Sequence, residues 1–342
     1  MTATDAMPPD PAPVLDLLTA FRRSKTMFAG VTLGVFDALT AGPKAAPALA
    51  AELGAHPDAL ARLLDALVGL RLLARAPAGF ANTPTATAYL TQSSPQRMTG
   101  YLRFTDEILW KLWGDLDGAV RAGDAGWKRT FGWDSPVFAS IFSTPELQRE
   151  FLMGMNGFGL ISSPRVVEAF DLSRFRRLAD LGGATGHLAV AACRRYPALR
   201  AVVLDLPQVV PLAQELVSAT EVADRVEVTA GDFFTDPLPD ADLYALGRVL
   251  HDWSEDKILT LLRKVCDTLP VGGGVLVAEK LIADDRTGPD LAQMQDLNML
   301  LVTEGKERTL GEYADLLRRA GFAEVDGQTT GAPVDAVLAV KR

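Results

Sequence analysis

His251 and its neighbours open the chemical reading of this 342-residue chain. The histidine follows the apolar run YALGRVL and precedes Asp252 and Trp253. A neutral imidazole at the carboxyl end of a strand can take a proton as a general base. Glu279 closes another apolar run, GGVLVAE. On an adjacent strand it can hydrogen-bond the second ring nitrogen and fix the tautomer. The other histidines, His56 and His187, fall in helical surroundings, and His187 is expected to be a solvated first-turn residue. A second constellation lies upstream. Asp180–Gly186, DLGGATG, joins an apolar run to the helix-like HLAVAACRRY. Glycines let a ligand approach the backbone, and the helix start offers unpaired N–H groups. Asp205 ends the next apolar run, AVVLDL, where an acid can accept from ribose hydroxyls. Asp232 can accept from an adenine amino group while Phe233 packs on the ring face. Each acid also suits a helix N-cap, and a lone glycine turn is also a plain tight connection. Neither G-x-G-x-x-G nor GxxxxGK[ST] occurs. A ribose-bearing ligand without an essential pyrophosphate fits better, and S-adenosylmethionine (SAM) is the candidate.

Strand and helix signals alternate from residue 177 onward. RRLADL, ALRAVVLDL, RVEVTAGDF, ADLYALGRVL and GGVLVAEK read as strands, with helical stretches such as SEDKILTLLRKVCDTL between them. That alternation predicts a parallel α/β sheet of Rossmann-like form over 173–342. The last two strands, AEVDGQTT and DAVLAVKR, are expected to pair as an antiparallel hairpin at its edge. Ligands of such sheets bind outside the carboxyl strand ends. The rule sends Gly182, Asp205, Asp232, Phe233, Arg248, His251, Asp252 and Glu279 toward one crevice.

The N-terminal part reads as helical. Leu15, Leu18, Phe21, Met27 and Phe28 recur at helical spacing over 13–40, and the pattern continues through VTLGVFDAL. This run is more apolar than a surface helix needs to be, which suits a dimer contact or simple core packing. APALAAELG and PDALARLLDALVGLRLL follow as two helices, then LLARA and GFANT as a hairpin. Helix, turn, helix and hairpin outline a winged helix over 1–95. A DNA-reading second helix needs several basic side chains, and this one offers only Arg62 and Arg71. Residues 96–172 read as a helical connector, rich in aromatic residues including Phe138 and Phe142. Met153 and Met155, near Asn156 and Phe158, suit a flat aromatic ligand as well as ordinary packing.

The totals narrow the function further. A net charge of −9 disfavours nucleic acid as a partner. The two cysteines, Cys193 and Cys266, sit in apolar helix-like segments, as buried free thiols of a reducing cytoplasm would. No Cys/His cluster points to a metal. MTATDAMPPDPAP lacks the form of a signal peptide and reads as a frayed tail, and no apolar stretch suggests a membrane span.

RVLHDW, GDFF, DLGGATG, GPDLAQMQDLNMLL and TEGKERT together resemble the SAM-dependent O-methyltransferases of the plant caffeate and acetylserotonin type. The resemblance covers 85–342 well and the family's dimerisation domain more loosely. It implies methyl transfer to a hydroxyl of an aromatic small molecule, phenolic or hydroxyindole, by a homodimer that leaves S-adenosylhomocysteine. His251 would be the general base, flanked by Glu279 and Glu307. Gly182, Asp205, Asp232, Phe233 and Arg248 would hold SAM. Asp252 and Asn298 would contact the acceptor, and the helix around Met294, Asn298 and Met299 would line its pocket. Ala184 replaces the middle glycine of the family's loop. Val302 replaces a glutamine, and Phe142 and Gly159 stand where a tyrosine and a tryptophan are expected, so a phenolic natural product suits the acceptor site at least as well as an acetylserotonin. Two rival readings remain. One is a SAM-binding relative with non-methylating chemistry, which the presence of His251 disfavours. The other is a winged-helix DNA regulator, which the acidic charge disfavours.

Overall fold

A computed structural model describes residues 9–133 and 144–342, so Phe138 and Phe142 lie outside the described residues, as do the first eight positions. The chain divides into two compact units, Met1–Asp106 and Glu107–Arg342. Residues 96–106 of the expected connector belong to the first unit and 107–172 to the second.

In the first unit the long opening helix spans Ala12–Thr32 and stops short of the expected run. Gly34, at φ +77, turns the chain before the short helix Val35–Ala38. Helices Ala46–Leu53 and Pro57–Gly69 follow, the first closed by Gly54 at φ +62. Strands β1 (Leu73–Ala76) and β2 (Gly79–Asn82) form the antiparallel hairpin. Leu60, Leu64 and Leu67 present one helical face to Phe36, Leu49 and Phe80. Arg71 lies beyond the second helix, in the turn before β1, so the helix itself carries Arg62 of the two. Val14, Leu15, Leu17, Leu18 and Phe21 on the opening helix are exposed.

The second unit is a sheet with helices on both faces. Its strands are β3 (Arg177–Leu181), β4 (Arg200–Asp205), β5 (Val226–Ala230), β6 (Leu243–Gly247) and β7 (Gly274–Glu279). A two-residue β8 (Leu281–Ile282) pairs with β9 (Arg308–Thr309). The chain closes with β10 (Phe322–Gln328) and β11 (Asp335–Lys341). The seven-stranded order is β10-β11-β7-β6-β3-β4-β5. β3 through β7 run parallel, while β10 and β11 form the expected antiparallel edge. Every residue of β7 is buried, as a strand covered on both faces requires. One core layer joins the sheet to helix Glu255–Thr268 through Ile258, Leu261, Leu262 and Val265, spaced for one helical face. The other joins it to helix His187–Arg195 and to the end of helix Pro145–Glu168. Chain order reverses at β3, which lies between β4 and β6. A crevice opens at the carboxyl end of such a switch point.

Candidate active site

Glu279 ends β7, and its Oε1 gathers the chain that leaves β6. It accepts from the backbone N–H groups of Val249 at 3.0 Å, Leu250 at 2.9 Å and His251 at 3.4 Å. Those groups leave the strand ladder, so β6 stops at Gly247 and Leu250–Asp252 form a short 3₁₀ turn. Val249 and Leu250 are therefore turn residues, where the apolar run predicted strand. Arg248 enters the turn at φ +56.

Glu307 reaches the same point from far along the chain. The parallel pairing of β8 and β9 sets Leu281 opposite Arg308, which brings Glu307 beside the end of β7. Gly305 lets this loop lie against the turn, because a Cβ there would stand 2.1 Å from the His251 carbonyl oxygen. Asp296 Oδ1 accepts from the Glu307 N–H at 2.9 Å. A capping box between Thr309 and Glu312 then starts helix Leu310–Arg319.

His251 Nδ1 lies 2.6 Å from Glu307 Oε1 and 3.2 Å from Glu279 Oε2, with all three side chains buried. In the neutral ring Nδ1–H donates to Glu307 Oε1 rather than to Glu279, the partner the sequence suggests, whose Oε2 lies near without a hydrogen bond; this leaves Nε2 able to accept a proton. Nε2 stands 3.7 Å from Asp252 Oδ1, beyond hydrogen-bond range. Burial alone would lower the imidazole pKa, but Glu279, Glu307 and Asp252 outweigh it and raise it to about 9. Burial pushes Glu279 up to about 7 against the pull of His251, and raises Asp252. The three ligand atoms of His251, Glu279 and Glu307 lie within 4.8 Å of one another, a spacing that also suits a metal ion. Three backbone N–H groups, however, already hold Glu279 Oε1.

Across the switch point, Gly182 sits at φ +68. A Cβ there would stand 3.1 Å from Val249 Cγ2 and 3.3 Å from Phe233 Cε1, so glycine keeps the cradle open. Gly183 covers the buried Asp180, and a Cβ would stand 2.7 Å from its carboxyl. Burial lifts Asp180 to about 7. Ala184 has φ +48, a conformation that favours glycine, and its side chain packs with Leu152, Met153, Val209 and Leu212. Asp205 accepts from the N–H groups of Ala184 and Leu206, each at 2.7 Å, and burial raises its pKa. Its oxygens keep further lone pairs for ligand hydroxyls. Asp232 and Phe233 lie just past β5, in a turn whose carbonyls at Phe233, Phe234 and Asp236 accept from Lys264 Nζ. Arg248 Nε is buried with no partner among the described residues, and its guanidinium centre is 6.0 Å from the Phe158 ring. An open glycine cradle, an oriented acid and an unsatisfied cation fit a ligand that carries a ribose and a carboxylate.

The expected acceptor contacts divide. Asn298 is buried, and its Oδ1 accepts from Trp113 Nε1 at 3.1 Å, which leaves the amide NH₂ as its free donor. Val302 presents its carbonyl to Trp127 Nε1 at 2.8 Å. Met153 belongs to the apolar cluster behind Ala184, and Met294 is 48% exposed, one turn before Asn298. His187 is half-buried and bonded to Ser163, so it is not the solvated residue the sequence predicts. Asp296, Lys264, Trp113 and Gly305 emerge only here; the close approach at Gly305 was the one with a visible trace, a glycine inside TEGKERT. Cys193 and Cys266 are buried and unpaired. No helix among the described residues is long and apolar enough to cross a membrane.

A doubly wound sheet with these groups at successive strand ends is the fold of a SAM-using transferase: a solved structure of human N-acetylserotonin methyltransferase in complex with SAM superimposes with a TM-score of 0.90 at 37% identity, covering 100% of this chain and 99% of that one. The O-methyltransferase domain family matches residues 113–323 and the O-methyltransferase dimerisation domain matches 15–92. The chain belongs to the SAM-dependent O-methyltransferase family. Acetylserotonin O-methyltransferase of Gallus gallus is 41% identical over 97% of both chains. A probable bifunctional dTTP/UTP pyrophosphatase/methyltransferase protein of Homo sapiens is 37% identical over 98% of this chain, which spans 55% of that relative's length.

Proposed function

We propose that the protein methylates a hydroxyl of an aromatic small molecule, a hydroxyindole or a phenol, with His251 as general base. The observation that carries this reading is the buried imidazole with Nδ1 2.6 Å from Glu307 and Nε2 left to accept a proton. A phenol near pKa 10 is a poor nucleophile at neutral pH, so removing its proton during transfer lowers the barrier. Bound SAM supplies a methyl group activated by its sulfonium charge. His251 Nε2 takes the hydroxyl proton as the new oxygen–carbon bond forms and the carbon–sulfur bond breaks. Glu307 and Glu279 orient the ring and stabilise the imidazolium that results. Asn298, with its oxygen held by Trp113, offers its NH₂ to the acceptor, and Asp252 lies on the Nε2 side of the ring.

Gly182, Asp205, Asp232, Phe233 and Arg248 hold SAM across the strand ends. Asp232 and Phe233 beyond β5 would hold the adenine, Asp205 at the end of β4 the ribose, and Gly182 and Arg248 beyond β3 and β6 the amino-acid end. Met294 lines the acceptor side, and Met153 supports the wall behind the glycine loop. The dimerisation-domain match and the exposed Leu15, Leu17, Leu18 and Phe21 support a homodimer through the opening helix. Presenting hydroxyindoles, catechols and polycyclic phenols with SAM tests the acceptor class. The reading expects O-methylated product from at least one class, and tight SAM binding with no product from any of them would refute it.

A further inference from the structure

Gly159 and Ser163 are one turn apart on helix Pro145–Glu168, and the imidazole of His187 lies across the face they share. Its Nδ1 is 2.8 Å from Ser163 Oγ. A Cβ built on Gly159 would fall 2.2 Å from His187 Cδ2 and 2.4 Å from Nε2. The ring therefore occupies the space that any side chain at 159 would need, and glycine is the residue that admits it. One turn earlier on the same helix, Asn156 Oδ1 accepts from Thr185 Oγ1 at 2.9 Å. The helix thus grips the glycine loop at two points, and His187 is the first residue after that loop.

The ring also lies beyond the carboxyl end of β3, where the proposed orientation of SAM would put its amino-acid end. It opens the helix that follows β3, and Arg248 leaves the end of β6, the neighbouring strand. Burial, with Arg248 adding to it, lowers the His187 pKa to about 4, so the ring is neutral at physiological pH. When the Ser163 hydroxyl donates to Nδ1, Nε2 carries the proton. No hydrogen bond joins Nε2 to the described residues.

We infer that His187 is a further cofactor-binding residue, its Nε2–H donating to the carboxylate of SAM beside Arg248, with Gly159 as the vacancy that lets the ring take this position. The inference rests on the proposed orientation of SAM across the strand ends. Losing one hydrogen bond to a charged group costs about 10- to 100-fold in affinity.

The test measures binding by calorimetry with two probes. One is S-adenosylhomocysteine. The other is 5′-methylthioadenosine, which keeps adenine, ribose and sulfur but has no amino-acid end. His187→Ala is expected to weaken S-adenosylhomocysteine about tenfold or more and to leave methylthioadenosine within twofold. Asp205→Ala is expected to weaken both, and if it weakens neither, the orientation of SAM fails independently of His187. Gly159→Ala is expected to weaken S-adenosylhomocysteine in the native background and to add nothing in the His187→Ala background. Equal weakening of both probes by His187→Ala would reduce the ring to a support of the loop and overturn the inference. Unchanged affinity for S-adenosylhomocysteine would overturn it as well.

Discussion

The base cluster and the cofactor crevice lie at the ends of neighbouring strands, yet they are built to opposite specifications. Around His251 the partners are internal. Glu279 is held by three backbone N–H groups, Glu307 by Asp296 and Gly305 by contact with the turn. Along the crevice, capacity is left over. Gly182 keeps a space open, Asp205 retains lone pairs, and Arg248 Nε has no partner among the described residues. A proton-transfer group must be aimed before the substrate arrives, so the protein itself orients the ring, although Glu279 Oε2 and Glu307 Oε2 are buried without a hydrogen-bond partner among the described residues. A ligand-binding group needs valences that the ligand completes.

Substitutions separate the two regions, the largest effect first. His251→Ala is expected to lower turnover by about 10²–10⁴ and to leave SAM affinity within a few-fold. Steady-state kinetics beside calorimetry reads both, and undiminished turnover would remove His251 from the mechanism. Asp205→Ala inverts the pattern: SAM binding weakens about 10- to 100-fold through lost hydrogen bonds from the ribose. Unaltered affinity would move the ribose elsewhere.

The pH profile sharpens the contrast. The imidazole must be neutral to accept a proton, and its pKa is raised to about 9 in the ligand-free site. Activity limited by capture of SAM is therefore expected to climb as pH rises toward about 9 and to level above it. A bound sulfonium disfavours a nearby imidazolium, so at saturating SAM the inflection shifts to lower pH. Glu307→Gln removes a carboxylate and shifts the same inflection down; an inflection that ignores both changes belongs to some other group. The smallest effect is expected at Ala184→Gly. Relief of the φ of +48 and loss of a methyl from the apolar cluster oppose each other, at roughly 1 kcal/mol each. SAM affinity within twofold of the native value is the expected reading, because the methyl packs on Leu152, Met153, Val209 and Leu212.

Much of this was legible in the sequence wherever the signal was local. Apolar runs ending in Asp205, Glu279 and the segment before His251 marked the strands of the sheet, and the rule about carboxyl ends gathered their polar residues. The closeness of Glu279 to His251 followed from adjacent strands, but Glu279 holds the backbone of the turn while Glu307 takes the ring hydrogen bond expected of it. Contacts made by residues far apart without a periodic pattern were not legible from the residues themselves. Glu307 sits in an irregular loop, and its approach depends on Gly305 and on a two-residue parallel pairing; family resemblance alone named it. His187 looked like a surface residue because the glycine that receives its ring lies on another helix. Gly34 broke an apolar run that looked continuous, since hydrophobic spacing carries no record of a left-handed turn.

Transfer of a labelled methyl group from SAM to an aromatic hydroxyl, followed for the native protein and for His251→Ala side by side, tests the account most directly. The account predicts label on the oxygen of at least one class among hydroxyindoles, catechols and polycyclic phenols, nearly lost in the variant while SAM still binds. Equal labelling by both proteins, or no label on any class despite tight SAM binding, would contradict it.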